Sequence, residues 1–354
     1  MSRPRARDLG LPFPGVPGPL NAITDVPGVT VGFSTLTDPA QDLRTGITAI
    51  RPRPDAAWPL PVRAGHFALN GNGEMTGTHW IEDAGYLIGP VMITNTHAVG
   101  AVHHGATAWM IDHYAAYFRT AHAWAMPVVA ETYDGVLNDI TRLAVTPDHA
   151  RAALDAAASG PVAEGSTGGG NGMIAYGFKG GTGTASRRVA IGGQVWTLGA
   201  LVQANHGIRD WLTVLGRPVG RLMPEDEPQG PETGSIIVVL ATDAPLSALA
   251  LRHLARRAAL GVGRGGTPGG NGSGDLFLAL SVADAGPMPQ LAGPMVGGPV
   301  LNQEHLDPLY LAAVEAVEEA VVNALVAGET VRAVKPRDRV VPALDTEGLK
   351  ALFG

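Results

Sequence analysis

An abrupt change in composition between residues 234 and 235 constrains this chain more than any other feature. Residues 224 to 234 read PEDEPQGPETG, an acidic stretch with three prolines. Because proline has no backbone N–H to donate, this stretch cannot lie inside a sheet and is predicted to be an exposed linker. The next residues, SIIVVLATDAPL from 235 to 246, open with an uninterrupted β-branched run that is typical of a central strand covered on both faces.

The rest of the chain predicts groups of strands separated by a few helices. Short β-rich runs that end at turn residues predict strands at 26 to 36, 46 to 52, 66 to 71, 91 to 97, 127 to 135, 173 to 181, 187 to 205, 211 to 220 and 276 to 284. Helical spacing is found at 101 to 118, 147 to 159, 246 to 261 and 307 to 328. Since there is neither one helix per strand nor an internal repeat, a TIM barrel or a solenoid is disfavoured. The order favours an α+β layered sandwich, and 354 residues could form one large domain or two ordinary ones.

The last predicted helix is amphipathic. Its apolar stripe consists of Val314, Val317, Val321 and Leu325. Its opposite face carries Glu315, Glu318 and Glu319. This division predicts a helix that packs on a sheet by one face.

The composition indicates a globular protein without nucleic-acid or membrane partners. Hydrophobic residues make up 45% of the 354 residues and charged residues 16%, which is enough to bury a large core. A formal net charge of -7 disfavours a polyanionic partner. No apolar run approaches the roughly 18 residues of a membrane span, and the basic start MSRPRARDLG continues into Pro and Gly instead of an apolar signal core. A cytoplasmic location is therefore expected.

The residue types leave oxygen and nitrogen groups to carry any chemistry. The chain has no cysteine, which excludes thiolate catalysis and Cys-ligated zinc. Among its eleven histidines, His103 and His104 are adjacent and would diverge on a helix, and His97, Asp112 and His113 show no tight metal-binding spacing. Residues 170 to 186 lack the Gly-Lys-Ser/Thr of a phosphate loop. No metal, nucleotide or other cofactor is predicted.

The Gly234–Ser235 junction suits self-cleavage followed by catalysis. A serine hydroxyl can attack the preceding carbonyl when that peptide bond is exposed and strained, and Gly234 tolerates the backbone angles required. Cleavage would give Ser235 an α-amino group with a reference pKa of about 7.7 to 8.0, which can accept the proton of its own hydroxyl. Local chemistry leaves open the alternative of an ordinary Gly-Ser turn before a strand.

Five further side chains carry suitable chemistry near predicted turns. Glu131 can hold a substrate ammonium and Tyr133 can donate to an oxyanion. The side-chain amide of Asn205 is another oxyanion donor. Ser273 and Asp275 can form a hydroxyl–carboxylate relay. Each also has an ordinary structural reading as a solvated acid, a half-buried tyrosine or a turn residue.

Six motifs in order resemble the L-aminopeptidase/D-amino-acid esterase and amidase family, the DmpA-like enzymes that include the β-peptidyl aminopeptidases. The motifs are NGNGEMTG at 70 to 77, ITNTHAVG at 93 to 100, ETYDGVLND at 131 to 139, LVQANHG at 201 to 207, GSIIVVLATDAPL at 234 to 246 and NGSGD at 271 to 275. The resemblance runs from about Ile23 to Leu325. It places the Gly-Ser dipeptide where this family cleaves itself.

The resemblance implies a fold, a processing event and an assembly. The implied fold is a single domain of residues 1 to 354, a four-layer αββα sandwich that is similar to N-terminal-nucleophile hydrolases and related to ornithine acetyltransferase. The implied precursor splits into a large chain, Met1 to Gly234, and a small chain, Ser235 to Gly354, which stay assembled. A homotetramer of processed protomers and no cofactor are expected.

The resemblance also assigns roles. Ser235 looks like the nucleophile and Glu131 like the anchor for the free amino group of a small peptide, amino-acid amide or ester. Tyr133 and Asn205 resemble the oxyanion stabilisers.

The relay position departs from the family pattern. Ser273 and the acid two positions later resemble the pair that activates or orients the nucleophile. That acid is often Glu in the family, whereas this chain has Asp275, which is one methylene shorter.

Two other functions and the choice of substrate stay open. An acyltransferase of the ornithine-acetyltransferase type would pass the acyl group to an amine, although that family uses threonine where this chain has Ser235. A non-catalytic protein would use its glycine loops only to shape a binding surface. The choice among L-α-, D- and β-aminoacyl substrates depends on a side-chain pocket, which is expected near Trp80 and residues 165 to 172.

Overall fold

Fourteen strands and eight α-helices make up the regular structure of the described residues, 4–53, 56–224, 232–283, 286–295 and 298–354, in the computed structural model. The strands are β1 (Thr30–Asp38), β2 (Leu43–Arg51), β3 (Pro61–Ala68), β4 (Tyr86–Ile88), β5 (Val91–Asn95), β6 (Val128–Thr132), β7 (Ile174–Ala175), β8 (Phe178–Lys179), β9 (Gly181–Ile191), β10 (Gln194–Asn205), β11 (Ser235–Thr242), β12 (Gly274–Ser281), β13 (Val331–Arg332) and β14 (Val340–Val341). The helices are α1 (Thr78–Ala84), α2 (Val99–His113), α3 (Ala115–Thr120), α4 (Pro147–Asp155), α5 (Val219–Leu222), α6 (Ala248–Arg264), α7 (Asp307–Val326) and α8 (Thr346–Ala351). None of the helices within these ranges is both long and apolar enough to cross a membrane.

Two sheets lie face to face, and helices cover the outer side of each. The first sheet has the order β1-β2-β5-β6 and the second the order β4-β3-β12-β11-β10-β9. One apolar core joins the two sheets, a second joins the first sheet to α2 and α4, and a third joins the second sheet to α6 and α7. The predicted four-layer αββα sandwich of the α+β class is confirmed.

Strand β11 is covered on both faces, as its sequence predicts. Ile237 and Val239 enter the core between the sheets, while Ile236 and Val238 enter the core under α6 and α7. Successive side chains of a strand point to opposite faces, so an uninterrupted apolar run fits only a strand between two cores. Each such side chain contributes about 1.5–3 kcal/mol when fully buried.

The two strands that follow the linker lie side by side in the middle of the second sheet. β11 pairs antiparallel with β10 and parallel with β12, and β12 pairs antiparallel with β3. The two strands that follow the linker therefore lie between strands that precede it. Helix α6 makes the crossover that two parallel neighbours such as β11 and β12 require.

Helix α7 packs on the second sheet as predicted, and it is also buried around most of its circumference, including the glutamate face. Glu315, Glu318 and Glu319 are at most 8% exposed. The N-terminal segment covers this face, and Arg7 Nε donates to Glu319 Oε1 at 2.8 Å. Arg187, itself buried in β9, donates to Glu319 Oε2 at 2.7 Å. The carboxylates are buried because arginines from other elements compensate their charge.

Two predicted elements differ in detail. The helix predicted at 101 to 118 divides at Tyr114 into α2 and α3. The strand predicted at 211 to 220 is instead a turn at Leu215 and Gly216, both with positive φ, and α5 follows. Its apolar residues enter the core without pairing in a sheet.

The structure also bears on the loop before β12 and on the acidic linker. Asp275 is expected near a turn, but β12 begins at Gly274 and Asp275 therefore lies in a strand. Of the predicted linker, residues 225 to 231 lie outside the described residues, and only its two ends are described.

Candidate active site

Ser235 lies at one end of the second sheet, where β10 ends and β12 begins. It faces Asn205 across the antiparallel pair and Gly274 across the parallel pair. Its side chain is buried, and the backbone N–H of Gly274 donates to Ser235 Oγ at 3.1 Å. Because the strand that follows is packed into two cores, the hydroxyl is held on a rigid element.

The position before Ser235 has no room for a side chain. A Cβ atom at Gly234 would overlap the backbone carbonyl oxygen of Asn205. Gly234 therefore lies directly beside the backbone at the end of β10.

The predicted relay residues are in hydrogen-bond contact. Ser273 Oγ donates to Asp275 Oδ1 at 2.6 Å, and both side chains are buried. The backbone N–H of Asp275 donates to Asn70 Oδ1 at 2.7 Å. Burial raises the pKa of Asp275, the Ser273 hydrogen bond lowers it, and the charge of Glu232 raises it again.

The two predicted oxyanion donors also meet. Asn205 Nδ2 donates to the backbone carbonyl oxygen of Tyr133 at 3.0 Å, and Asn205 Oδ1 accepts from the backbone N–H of Ile174 at 2.9 Å. These bonds fix the orientation of the amide and leave a second Nδ2 proton to donate. Tyr133 is 40% exposed, and its hydroxyl lies over Gly135, where a side chain would overlap it. The contact between the pair runs through the Tyr133 backbone, not through its phenol.

Glu131 is a buried carboxylate held by two donors near the end of β6. Glu131 is 4% exposed. The backbone N–H of Glu74 donates to Oε1 at 3.0 Å, and the Thr96 hydroxyl donates to Oε2. Burial raises the pKa of Glu131, and the two hydrogen bonds partly offset this rise. A cation placed beside Glu131 would stabilise its ionised form.

The segment from 70 to 74 connects the Glu131 side of the site to the Asp275 side. Asn70 accepts from Asp275, and Asn72 Nδ2 donates to the backbone carbonyl oxygen of Gly272 at 2.6 Å. Glu74, at the other end of the segment, donates to Glu131. One short stretch of chain therefore fixes two strand ends that belong to different sheets.

Trp80 and the segment from 165 to 172 are the two features predicted near the substrate pocket. Trp80 lies in α1 and makes edge-to-face contacts with Tyr86 and Trp124. The described contacts do not join it to Glu131 or Ser235, so its role in substrate binding stays a prediction. Residues 168 to 172 are fully buried, and the backbone N–H groups of Gly168 and Gly169 donate to threonines of β1 and β2. These five residues therefore pack in the core, and a role of the segment from 165 to 172 in the substrate pocket stays a prediction.

The site combines a buried serine hydroxyl, a hydroxyl–carboxylate pair, an oriented amide donor and a buried carboxylate. These are the parts that acyl transfer through a serine ester requires. Within the described ranges, no three His, Asp or Glu side chains form a group that could hold a metal ion.

Sequence reasoning missed four residues that position these groups. Thr96 and Asn70 lie inside the motifs at 93 to 100 and 70 to 77, so motif membership was the only available signal. Gln203 Nε2 donates to Thr132 Oγ1 at 2.7 Å and ties the two sheets together beside Glu131. The sequence does not distinguish Glu232 from the other acids of the linker, yet its carboxylate accepts from two backbone amides of the site.

Comparison with known proteins gives a family and close structural matches. The family model for peptidase family S58 matches residues 21–339. Beta-peptidyl aminopeptidase BapA of Sphingosinicella microcystinivorans is 48% identical over 353 residues, which cover 94% of this chain and 87% of that protein.

Two solved structures are similar over almost the whole chain. The L-aminopeptidase D-Ala-esterase/amidase from Ochrobactrum anthropi, a prototype for the serine aminopeptidases, matches with a TM-score of 0.94 and 57% identity, covering 99% of this chain and 98% of that chain. A Burkholderia sp. beta-aminopeptidase matches with a TM-score of 0.88 and 46% identity over the same shares. The first of these was described as a new variant of the Ntn hydrolase fold. The fold predicted from the resemblance is confirmed.

Proposed function

The chain belongs to peptidase family S58, and from this premise we propose that it cuts its own Gly234–Ser235 bond and then uses Ser235 to release N-terminal residues from peptides, amides or esters. The observation that carries the proposal is the buried Ser235 hydroxyl at the first position of a central strand, directly after the acidic linker. Relatives named as an aminopeptidase, an esterase/amidase and a β-peptidyl aminopeptidase support this class of reaction.

The proposed processing is an acyl shift followed by hydrolysis. Ser235 Oγ attacks the carbonyl carbon of Gly234, the carbon–nitrogen bond breaks, and the hydroxyl proton passes to the departing amine. Water then hydrolyses the ester, which gives the carboxylate of Gly234 and returns the hydroxyl. The products are a large chain of residues 1 to 234 and a small chain of residues 235 to 354.

The proposed catalysis reuses the freed Ser235. Its new α-amino group accepts the hydroxyl proton while Oγ attacks the substrate carbonyl. The Ser273–Asp275 pair orients the nucleophile, and Asn205 and Tyr133 stabilise the oxyanion. The leaving amine or alcohol departs with a proton, and water releases the acyl group. No cofactor takes part in this scheme.

Glu131 makes the proposed enzyme an exopeptidase. A buried carboxylate that pairs with the free amino group of the substrate is left uncompensated when that group is acylated, and binding is then penalised. Substrates with a blocked amino terminus should therefore react poorly.

Denaturing electrophoresis and one substitution test the proposal. The wild-type chain should give two bands, and a Ser235→Ala chain should give one band and no hydrolysis of amino-acid p-nitroanilides. A Ser235→Ala chain that still hydrolyses them would remove Ser235 from the nucleophile role.

A second assay ranks the three substrate classes by the rates at which L-alanine, D-alanine and β-homoamino-acid amides are hydrolysed. A Trp80→Ala variant that leaves this ranking unchanged would remove Trp80 from the pocket.

Assembly and location extend the proposal beyond the single chain. From the family resemblance we propose a homotetramer of processed protomers located in the cytoplasm. Light scattering of the processed enzyme at several concentrations tests the first, and a monomeric mass would contradict it. Cell fractionation tests the second.

A further inference from the structure

The carboxylate of Glu232, three residues before Ser235, is held between two loops of the site. The backbone N–H of Gly207 donates to Glu232 Oε1 at 2.5 Å, and the backbone N–H of Gly270 donates to Oε2 at 2.9 Å. Gly207 follows the end of β10, and Gly270 belongs to the loop that leads into β12. The two donors therefore lie in the loops next to the two strands that flank Ser235.

We infer that Glu232 is a positioning residue for self-cleavage, whose carboxylate binds this pair of backbone amides and so fixes the Gly234 carbonyl beside the Ser235 hydroxyl. The inference rests on the self-cleavage proposed above. It makes the end of the linker a specific ligand of the site, in contrast to the solvated acidic stretch that its composition predicts.

The loops are shaped to receive this part of the chain. A Cβ atom at Gly270 would overlap Glu232 Oε2, and a Cβ atom at Gly272 would lie 2.8 Å from the backbone oxygen of Glu232. Gly207 has a φ of +79°, a left-handed conformation that favours glycine. The chain between Glu232 and Ser235 is thus fixed at both ends, at one end by two amides and at the other by the pairing of β11.

A carboxylate suits this position better than any neutral side chain. Both contacts are N–H donors, so each needs an acceptor, and hydrogen bonds to an ionised acceptor are the stronger kind. A glutamine offers one acceptor oxygen and turns its own N–H₂ group toward the second donor. An aspartate keeps two oxygens and the charge but is one methylene shorter.

The contact also places a second negative charge near the relay. The charge of Glu232 is one of the causes that raise the pKa of Asp275, after burial itself. The Glu232 carboxylate therefore lies close enough to the Ser273–Asp275 pair to act on Asp275 through its charge.

A time course of processing tests the inference. The full chain is synthesised in a cell-free system with a short radioactive pulse, and cleavage is followed by denaturing electrophoresis. Glu232→Gln and Glu232→Ala should slow cleavage by about tenfold or more, since an aligned linker is lost from most molecules. Glu232→Asp should restore part of the rate. Thr233→Ala, a change at the exposed neighbouring position, should be cut at the wild-type rate.

Hydrogen exchange separates positioning from a general loss of structure. In the uncut Ser235→Ala background, Glu232→Gln should speed amide exchange in peptides that contain Gly207 and Gly270 and leave the thermal midpoint unchanged. A Glu232→Gln chain cut as fast as wild type, or unchanged exchange at both glycines, would overturn the inference while leaving self-cleavage intact. A wild-type chain that is never cut would instead overturn self-cleavage itself, and the inference with it.

Discussion

The hydroxyl of Ser273 lies 2.6 Å from Oδ1 of Asp275 and donates to it inside the protein. Replacing the charged acceptor by an amide weakens this bond, so we expect Asp275→Asn to lower kcat/KM by about 100-fold. The measurement is hydrolysis of L-alanine p-nitroanilide, expressed per mole of processed enzyme. Asp210→Asn, at an exposed position, is the matched control. Wild-type kcat/KM in Asp275→Asn would show that the pair has no part in activating Ser235.

Gly234 should tolerate no side chain. A Cβ atom there would overlap the carbonyl oxygen of Asn205, which belongs to the backbone of a sheet and cannot move aside. We expect Gly234→Ala to stop or greatly slow self-cleavage, seen as a single band on a denaturing gel. Gly263→Ala adds the same methyl group in α6, where no atom lies within 4 Å, and should be cut normally. Equal processing of both variants would contradict the proposed tight fit.

Glu131 should determine the preference for a free amino terminus. Glu131→Gln keeps an acceptor oxygen for one of its two donors, the Glu74 amide or the Thr96 hydroxyl, and removes the charge, so we expect a loss of about 100-fold in kcat/KM on free amino-acid amides. The ratio between free and N-acetylated substrates should shrink accordingly. Glu304→Gln, an exposed change, serves as the control. An unchanged ratio would exclude Glu131 as the anchor.

The pH dependence of substrate binding should follow the same carboxyl group. Burial raises the pKa of Glu131 above its ordinary value of 4.5. Since only the ionised form attracts an ammonium, KM should rise as the pH falls toward that raised pKa. The measurement is KM from neutral to acid pH for an amide whose leaving group is uncharged, with wild type and Glu131→Gln in parallel. The rise of KM in acid should be absent in the variant.

Asp134 should make the protein less stable at neutral pH than in mild acid. Burial raises the pKa of Asp134 from 3.8 to about 6, so between these values the folded state holds a proton that the unfolded state releases. The free energy of unfolding therefore falls as the pH rises from about 3.8 through about 6, by roughly 3 kcal/mol in all. Asp134→Asn should remove this dependence. Urea unfolding of single-chain Ser235→Ala protein with and without Asp134→Asn, at pH 4.5 and 7.5, provides the measurement, and parallel pH profiles would contradict it.

A buried ion pair should hold the two processed chains together. Arg187, before the proposed cut, pairs with Glu319, after it, and neither is more than 1% exposed. Glu319→Ala leaves the Arg187 charge buried without this partner, and we expect a loss of about 3–5 kcal/mol in stability. The urea concentration at which the chains separate on size exclusion should fall. Arg337→Ala breaks the surface pair with Asp42 and should leave that concentration almost unchanged.

Much of the layered fold was predictable because periodicity reports local burial. The run after Ser235 predicted a doubly covered strand, and β11 is one. The helices at 147 and 307 begin where Pro147 and Asp307 indicate. Strand order was not predictable, because the choice of strands beside β11 depends on contacts between distant segments. The burial of the α7 glutamates was not predictable either, because it depends on the distant residues Arg7 and Arg187.

In the candidate site, too, some contacts could be predicted from the sequence and others could not. Ser273 and Asp275 are neighbours in sequence, so their contact could be anticipated. Thr96 and Glu131 approach only when β5 pairs with β6, and Glu232 and Gly270 only when β11 pairs with β12. No spacing rule predicts such contacts. Side-chain chemistry could therefore nominate the reacting groups, while the groups that hold them in place had to be seen.

The order of strands in the second sheet has a consequence for how this enzyme can be made. Without residues 235 to 354, β10 and β3 would each lack the neighbour that β11 and β12 supply, and the large chain would present two unpaired strand edges. Exposed edges of this kind recruit other chains and aggregate. Two genes for the two chains would therefore be a poor substitute for one, and co-expressed fragments should accumulate as insoluble protein where the single precursor does not.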